Sequence, residues 1–171
     1  MIIDLTKTNN REEVEKYLAE LKTQKKVVTV SGYFDPLHHG HIELFKLSRA
    51  LGNHLVVIIN SDKQTTMKKG FVFMPHDEKA KIIVELGCVD DVFISIDEDR
   101  SQCKTLEFIK PHIFANGGDR FTYEVPETPI CRQHGIQIID GVGSKIQSSS
   151  KLIEQSKQFL EDKNNKWHPN T

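Results

Sequence analysis

The 171-residue sequence predicts one doubly wound α/β domain on five parallel strands. Short apolar runs alternate with helical patterns from Val27 to Leu160. The run His54 to Asn60 (HLVVIIN) is apolar almost without interruption, as expected of a strand covered on both faces of a parallel sheet. Between the runs, glycine and proline mark the boundaries at Gly52, Gly87 and Pro111.

Each element has its own signal. Val14, Tyr17, Leu18 and Leu21 recur at helical spacing between Asn10 and Gln24, which predicts a helix with a narrow apolar face on the outside of the core. Residues 1–25 are thus expected as an N-terminal helical extension, 26–162 as the domain and 163–171 as a polar tail. Val27–Val30 is the first strand, β-branched and short. Ile42, Phe45, Leu47 and Leu51 form the next helical face, stopped at Gly52. His54 to Asn60 is strand two. Ser61 to Met74 carries no clean period and is expected as a mobile basic loop. Pro75 opens a helix that buries Ala80, Ile83, Val84 and Leu86. Val92–Ile94 is strand three, and Asp97-Glu98-Asp99 an acidic loop before a helix with Leu106 and Ile109. Ile113–Ala115 is strand four, a short helix is expected near Pro129 to His134, and Ile136–Ile139 is strand five. Ser148-Ser149-Ser150 then caps a last helix through about Leu160.

Composition narrows the class. The chain is 37% hydrophobic and 27% charged with a formal net charge of -1, so no global field favours nucleic acid or a membrane surface. Cys88, Cys103 and Cys131 are far apart and lack CxxC spacing, which reads as reduced thiols in a cytoplasmic protein. The first residues lack the apolar core of a signal peptide.

The stretch most rich in chemistry lies between strand one and its helix: Ser31-Gly32-Tyr33-Phe34-Asp35-Pro36-Leu37-His38-His39-Gly40-His41. Gly32 would let backbone approach a ligand, Asp35-Pro36 shapes the turn, and Gly40 removes a side chain between two imidazoles. His38 and His41 are three apart and share a face in a first helical turn. A helix N-terminus favours an anion, and two imidazoles there can donate to phosphate oxygens and stabilise developing charge. They could also ligate a metal, but no nearby carboxylate or cysteine completes a ligand set.

Gly32 to His41 resembles the signature of the cytidylyltransferase-like nucleotidyltransferases, and five further blocks follow in family order: Asn60-Ser61-Asp62, Lys69-Gly70, Val89-Asp90-Asp91-Val92, Gly117-Gly118-Asp119 and Ser148-Ser149-Ser150-Lys151-Leu152-Ile153. The GGD block, the acidic loop and the first helix look more like the heptose-phosphate adenylyltransferases than the glycerol-phosphate cytidylyltransferases. The resemblance implies a Rossmann-like fold. It implies transfer of AMP or CMP from a nucleoside triphosphate to a sugar or polyol phosphate, with release of pyrophosphate. His38, His41 and Lys69 would be catalytic. Gly32, Tyr33, Phe34, Asp35, Gly40, Gly117, Asp119, Ser148, Ser149 and Ser150 would hold the nucleotide, and Lys68, Lys79 and Arg120 the acceptor. Mg²⁺ would accompany the nucleotide, held mostly by phosphate and water, with no protein metal ligand. A homodimer is implied on the same ground.

The chain also departs from the pattern. Lys79 stands where the family often has an arginine, Asn116 where a lysine often precedes GGD, and Arg120 where an aromatic is common; Lys145 is the cation nearest the serine block. These changes leave the reaction class intact and the base and acceptor open. Alternative readings are a phosphopantetheine- or mononucleotide-type adenylyltransferase, a synthetase-like fragment with the same HxGH turn, or a non-catalytic nucleotide-binding module.

Overall fold

The computed structural model describes residues 1–7, 9–118, 125–143 and 148–166, the last three of these by backbone alone. Its elements run β1 (Ile2–Asp4), α1 (Arg11–Gln24), β2 (Val27–Gly32), α2 (His39–Arg49), β3 (His54–Ile59), α3 (Asp62–Lys69) and α4 (His76–Val84). They continue with β4 (Asp91–Ile94), α5 (Cys103–Ile109), β5 (Ile113–Gly117), α6 (Thr128–Gln133), β6 (Gln137–Val142) and α7 (Ser149–Lys166). The sheet has six strands in the order β1-β4-β3-β2-β5-β6, each pair parallel.

Alternation along the strands explains why the sheet is covered twice. Val28 and Val30 of β2 pack with Leu55, Val57 and Ile59 of β3 and with Phe45, Ala80 and Ile83 from α2 and α4. Val27, Val56, Ile58, Phe93 and Phe114 turn the other way, onto Leu18, Leu106, Ile109 and Cys131 from α1, α5 and α6. All six residues of β3 are buried, so its uninterrupted apolarity follows from a neighbour on each face. The order reverses between β2 and β5, and that switch point opens a crevice at the carboxyl ends of the strands.

The strand count corrects the five expected. Ile2, Ile3 and Asp4 pair with Val92, Phe93 and Ile94, so residues 1–25 hold an edge strand as well as a helix, joined to the core through Ile3, Leu5 and Leu18. A three-residue edge strand with Ile2 exposed and Ile3 buried is too short to show a period. Ser61 to Met74 is also corrected from a loop: α3 occupies Asp62–Lys69. Ser61 Oγ accepts the Gln64 amide and Gln64 Oε1 accepts the Ser61 amide, a reciprocal cap, and Gly70 ends the helix at φ 82. Hydropathy missed it because the residues it buries are Gln64 and Thr65. The last helix likewise continues beyond the expected boundary, to Lys166. Among the described residues no helix is long and apolar enough to cross a membrane.

Gly52 is required for a reason other than helix termination. A Cβ there would lie 2.4 Å from the Lys26 carbonyl oxygen and 2.7 Å from a Val28 methyl. Gly52→Ala is expected to destabilise by about 1–3 kcal/mol, lowering the melting temperature by roughly 3–10 °C at this chain length; thermal denaturation followed by circular dichroism reads it.

Candidate active site

The loop leaving β2 bends sharply. Phe34 adopts φ 49, uncommon for a side chain of that size, and its ring packs edge-on against His41 (5.0 Å) and Phe45 (5.1 Å). A Cβ on Gly32 would meet that ring at 2.8 Å. The missing side chain of Gly32 therefore admits Phe34, and Phe34, expected on the nucleotide, is a core residue 3% exposed.

Asp35 has no solvent exposure. Its Oδ2 accepts the Phe73 amide at 2.8 Å and its Oδ1 the Met74 amide at 2.7 Å. Its carbonyl accepts Lys69 Nζ at 2.6 Å. Lys79, expected on the acceptor phosphate, is itself fully buried, its Nζ donating to the Tyr33 carbonyl at 2.8 Å. In this arrangement it positions the turn. Burial holds the Lys69 and Lys79 ammonium groups below their ordinary pKa, Asp35 opposing the shift in both. Lys68 Nζ lies 4.4 Å from the centroid of the Tyr33 ring, a cation–π contact.

His38 is the N-cap of α2. Its Nδ1 accepts the Gly40 amide at 3.1 Å, and His41 Nδ1 accepts the His38 amide at 3.2 Å. The rings stack with centroids 3.7 Å apart. An Nδ1 that accepts carries no proton, so each neutral ring bears its hydrogen on Nε2. The pair thus offers two N–H donors fixed by backbone. Burial first, then the neighbouring His38, Lys69 and Lys79 charges, push the His41 pKa down to about 3. Burial, His39 and Lys69 lower that of His38.

The serine block reaches the same turn. Ser149 Oγ donates to the Pro36 carbonyl at 2.8 Å, and Ser148 Oγ accepts the Lys151 amide at 3.1 Å; Ser150 is exposed. The N-termini of α2 and α7 therefore converge on the turn, both with the polarity that favours an anion. Gly117 ends β5 next to β2. Asp119, Arg120 and Lys145 lie outside the described residues. His38, His41, Tyr33, Lys68, Lys69 and Ser149 are brought together at one end of the sheet.

Arg100, Gln102 and Glu127 were not singled out by the sequence, yet they line a cavity of about 260 Å³ beside Gly32 and Tyr33. No motif or period marks them. Asp97, expected in an acidic loop before a helix, is buried: it accepts the Lys104 and Thr105 amides at 2.8 and 2.9 Å and so fixes the approach to α5. Elsewhere, Asp4, His76 and Asp77 cluster closely enough for a metal, but Lys7 Nζ already lies 3.3 Å from a carboxylate oxygen of each aspartate, and His76 Nδ1 accepts the Asp62 amide.

Two outcomes follow for the histidines. Nitrogen-15 NMR is expected to place the proton of both rings on Nε2 at pH 7, with His41 showing no titration between pH 5 and 8. The unfolded His41 takes a proton near pH 6.5 and the folded one near 3. Its contribution to stability is therefore present above about 6.5 and lost as pH falls toward 3. Denaturant melts of wild type and His41→Gln should converge over that window.

A sequence profile described as cytidylyltransferase-like matches residues 29–158. The bifunctional protein HldE of Campylobacter concisus is 35% identical over 158 residues, 91% of this chain and 32% of that protein. Its namesake in Pelobacter propionicus is 30% identical over 155 residues, 88% and 31%. The chain thus spans about a third of the length of these relatives. A lipopolysaccharide core biosynthesis protein from Thermoplasma volcanium superposes with a TM-score of 0.60 at 25% identity, over 70% of this chain and 98% of that one. Pantoate-beta-alanine ligase from Francisella tularensis shares the fold alone, with a TM-score of 0.54 at 16% identity over 82% and 66%. With its histidine turn set at the switch point of the sheet and more than half of its length matched, the chain belongs to the cytidylyltransferase-like family of nucleotidyltransferases.

Proposed function

We propose that this chain transfers a nucleoside monophosphate, AMP or CMP, from a nucleoside triphosphate to a sugar or polyol phosphate. A phosphate oxygen of the acceptor attacks the α-phosphorus in line. The bond from that phosphorus to the α–β bridging oxygen breaks, and that oxygen leaves with the electron pair as pyrophosphate. The observation that carries the reading is the stacked His38–His41 pair, whose Nδ1 atoms are held by backbone amides and whose Nε2–H groups stand at a helix N-terminus.

Neutral imidazoles suit the task. They donate to non-bridging and leaving oxygens without needing to be charged first, and positioning with charge stabilisation supplies most of the catalysis in phosphoryl chemistry. Lys69 and Lys68 add positive charge from the end of α3. The reaction needs no protein nucleophile. Both Asp35 oxygens are committed to amides, so Mg²⁺ would enter on the triphosphate with phosphate and water ligands; when bound it neutralises phosphate charge.

ATP is the donor we place first, on the likeness of the GGD block, the acidic loop and the first helix to the heptose-phosphate branch. The same resemblance supports a homodimer, and the free cysteines suit a cytoplasmic setting.

Pyrophosphate release measured with ATP, CTP, GTP and UTP, Mg²⁺ and a panel of sugar and polyol phosphates tests the reading. Turnover is expected with at least one pair, and His38→Ala or His41→Ala should lower kcat about 10²–10³-fold while the KM for the triphosphate stays within a few-fold. No release with any pair, together with no rise of melting temperature on adding any triphosphate, would sink it. Wild-type binding without turnover would instead indicate a silent nucleotide-binding module.

A further inference from the structure

α3 carries Lys68 and Lys69 in its last turn, yet the residues it buries are Gln64 and Thr65, and its one apolar residue, Met67, is exposed. Eight residues are too few to make a stable helix alone, so polar ties must place it. At its first turn the Asp62 amide donates to His76 Nδ1 and the His76 amide to Asp62 Oδ1, each at 2.9 Å, which joins it to α4. At its end Lys69 Nζ meets the Asp35 carbonyl. Toward the segment between β4 and α5, the buried tie is Gln64.

Gln64 has no solvent exposure. Its Nε2 donates to the Asp99 carbonyl at 2.7 Å and to the Ser101 carbonyl at 3.0 Å, while its Oε1 accepts the Ser61 amide at 3.0 Å. Two carbonyls on one side and one N–H on the other admit a single orientation of the side-chain amide, and both its donors are used in it. Lys63 Nζ also reaches Glu98 Oε1 at 3.2 Å, but both side chains are exposed and such a pair adds little. The two carbonyls flank Arg100 in the chain, and Arg100 borders the same cavities beside Tyr33 as Lys68 does. The carboxylates in those walls brace the same segment: Asp99 Oδ1 accepts the Ser101 amide and Glu127 Oε1 the Gln102 amide, both at 2.8 Å.

We propose that Gln64 is a positioning residue for the transfer. Through the carbonyls on either side of Arg100 it locks that segment to α3, so that Arg100 and the lysines of α3 meet phosphate charge in one fixed arrangement. With no exposed surface it touches no substrate and acts through the backbone alone. Catalysis of phosphoryl chemistry is largely positioning and charge stabilisation, and a cation on a loose segment supplies neither. The role rests on the reaction proposed above.

Gln64→Glu separates the two halves of this residue's work. A glutamate there still accepts the Ser61 amide and keeps the helix cap, but its carboxylate has no N–H for the two carbonyls. Gln64→Met, the second variant, removes cap and bracket together. Gly52→Ala, strained against Lys26 and Val28 at the amino end of β2, is the control for lost stability, and all proteins are assayed below the onset of melting. In wild type, NMR should show both Gln64 side-chain amide protons protected from solvent exchange. In both variants, backbone hydrogens of residues 98–102 should exchange about ten-fold faster or more by mass spectrometry. Their kcat/KM for pyrophosphate release should fall about ten-fold or more, and the triphosphate-induced rise in melting temperature should shrink, while Gly52→Ala keeps the wild-type kcat/KM and response. Rapid exchange of the Gln64 side chain in wild type overturns the proposal. So does unchanged exchange of 98–102 in both variants, or a loosened segment with unchanged kcat/KM. If wild type releases no pyrophosphate with any pair, a loosened segment with a reduced triphosphate response upholds the positioning and overturns only the reaction, and an unchanged response overturns both.

Discussion

Asp35 is buried without solvent exposure, and its two carboxylate oxygens accept the amides of Phe73 and Met74 while its carbonyl accepts Lys69. Taking a carboxylate out of water is costly unless donors replace the solvent, and charged acceptors form the stronger class of hydrogen bond. The segment between α3 and α4 therefore cannot leave the turn after β2 without uncovering that charge. Most of the site depends on this tie. It holds the segment after α3 against the turn, so that Lys69 reaches the Asp35 carbonyl, and with Lys79 beneath Tyr33 it keeps the turn in one shape.

On the other side of the turn, local structure and chemistry are one arrangement. α2 is capped by His38 and His41, whose Nδ1 atoms take up backbone amides at the start of the helix. The cap that satisfies the helix also sets the tautomer, so the Nε2 donors are ordered by the fold itself. Burial keeps His41 neutral through the physiological range. With Ser149 docking α7 onto Pro36, two helix termini of like polarity face one place, and a site assembled from such dipoles and donors suits a reaction that moves phosphate charge.

Much of this could be read along the chain. The strands from β2 to β6 and the helices between them show as runs and periods because their apolar side chains meet the sheet. The histidine turn shows because its residue types sit at a strand-to-helix junction. What stayed hidden was whatever is stabilised by polar groups. α3 buries Gln64 and Thr65, so its pattern reads as a loop. Asp97 reads as one acid of a loop until the amides of α5 close on it. Gln102 follows a serine in an ordinary stretch, and its place in the wall of a cavity depends on residues up to 71 positions away. The short edge strand β1 was hidden by length.

By itself, then, the sequence determined the α/β class, the order from β2 onward, the family and the location of the histidine turn. These depend on apolar period and on residue types adjacent in the chain. Only the tertiary structure decided that Gly32 makes room for Phe34, that Asp35 and Lys79 brace the turn from within, that the imidazoles present Nε2, and that Arg100, Gln102 and Glu127 line a cavity beside Tyr33. Each of those is a contact, or a missing contact, between groups that the chain brings together only when it closes, and a one-dimensional pattern carries no record of what a polar atom will meet.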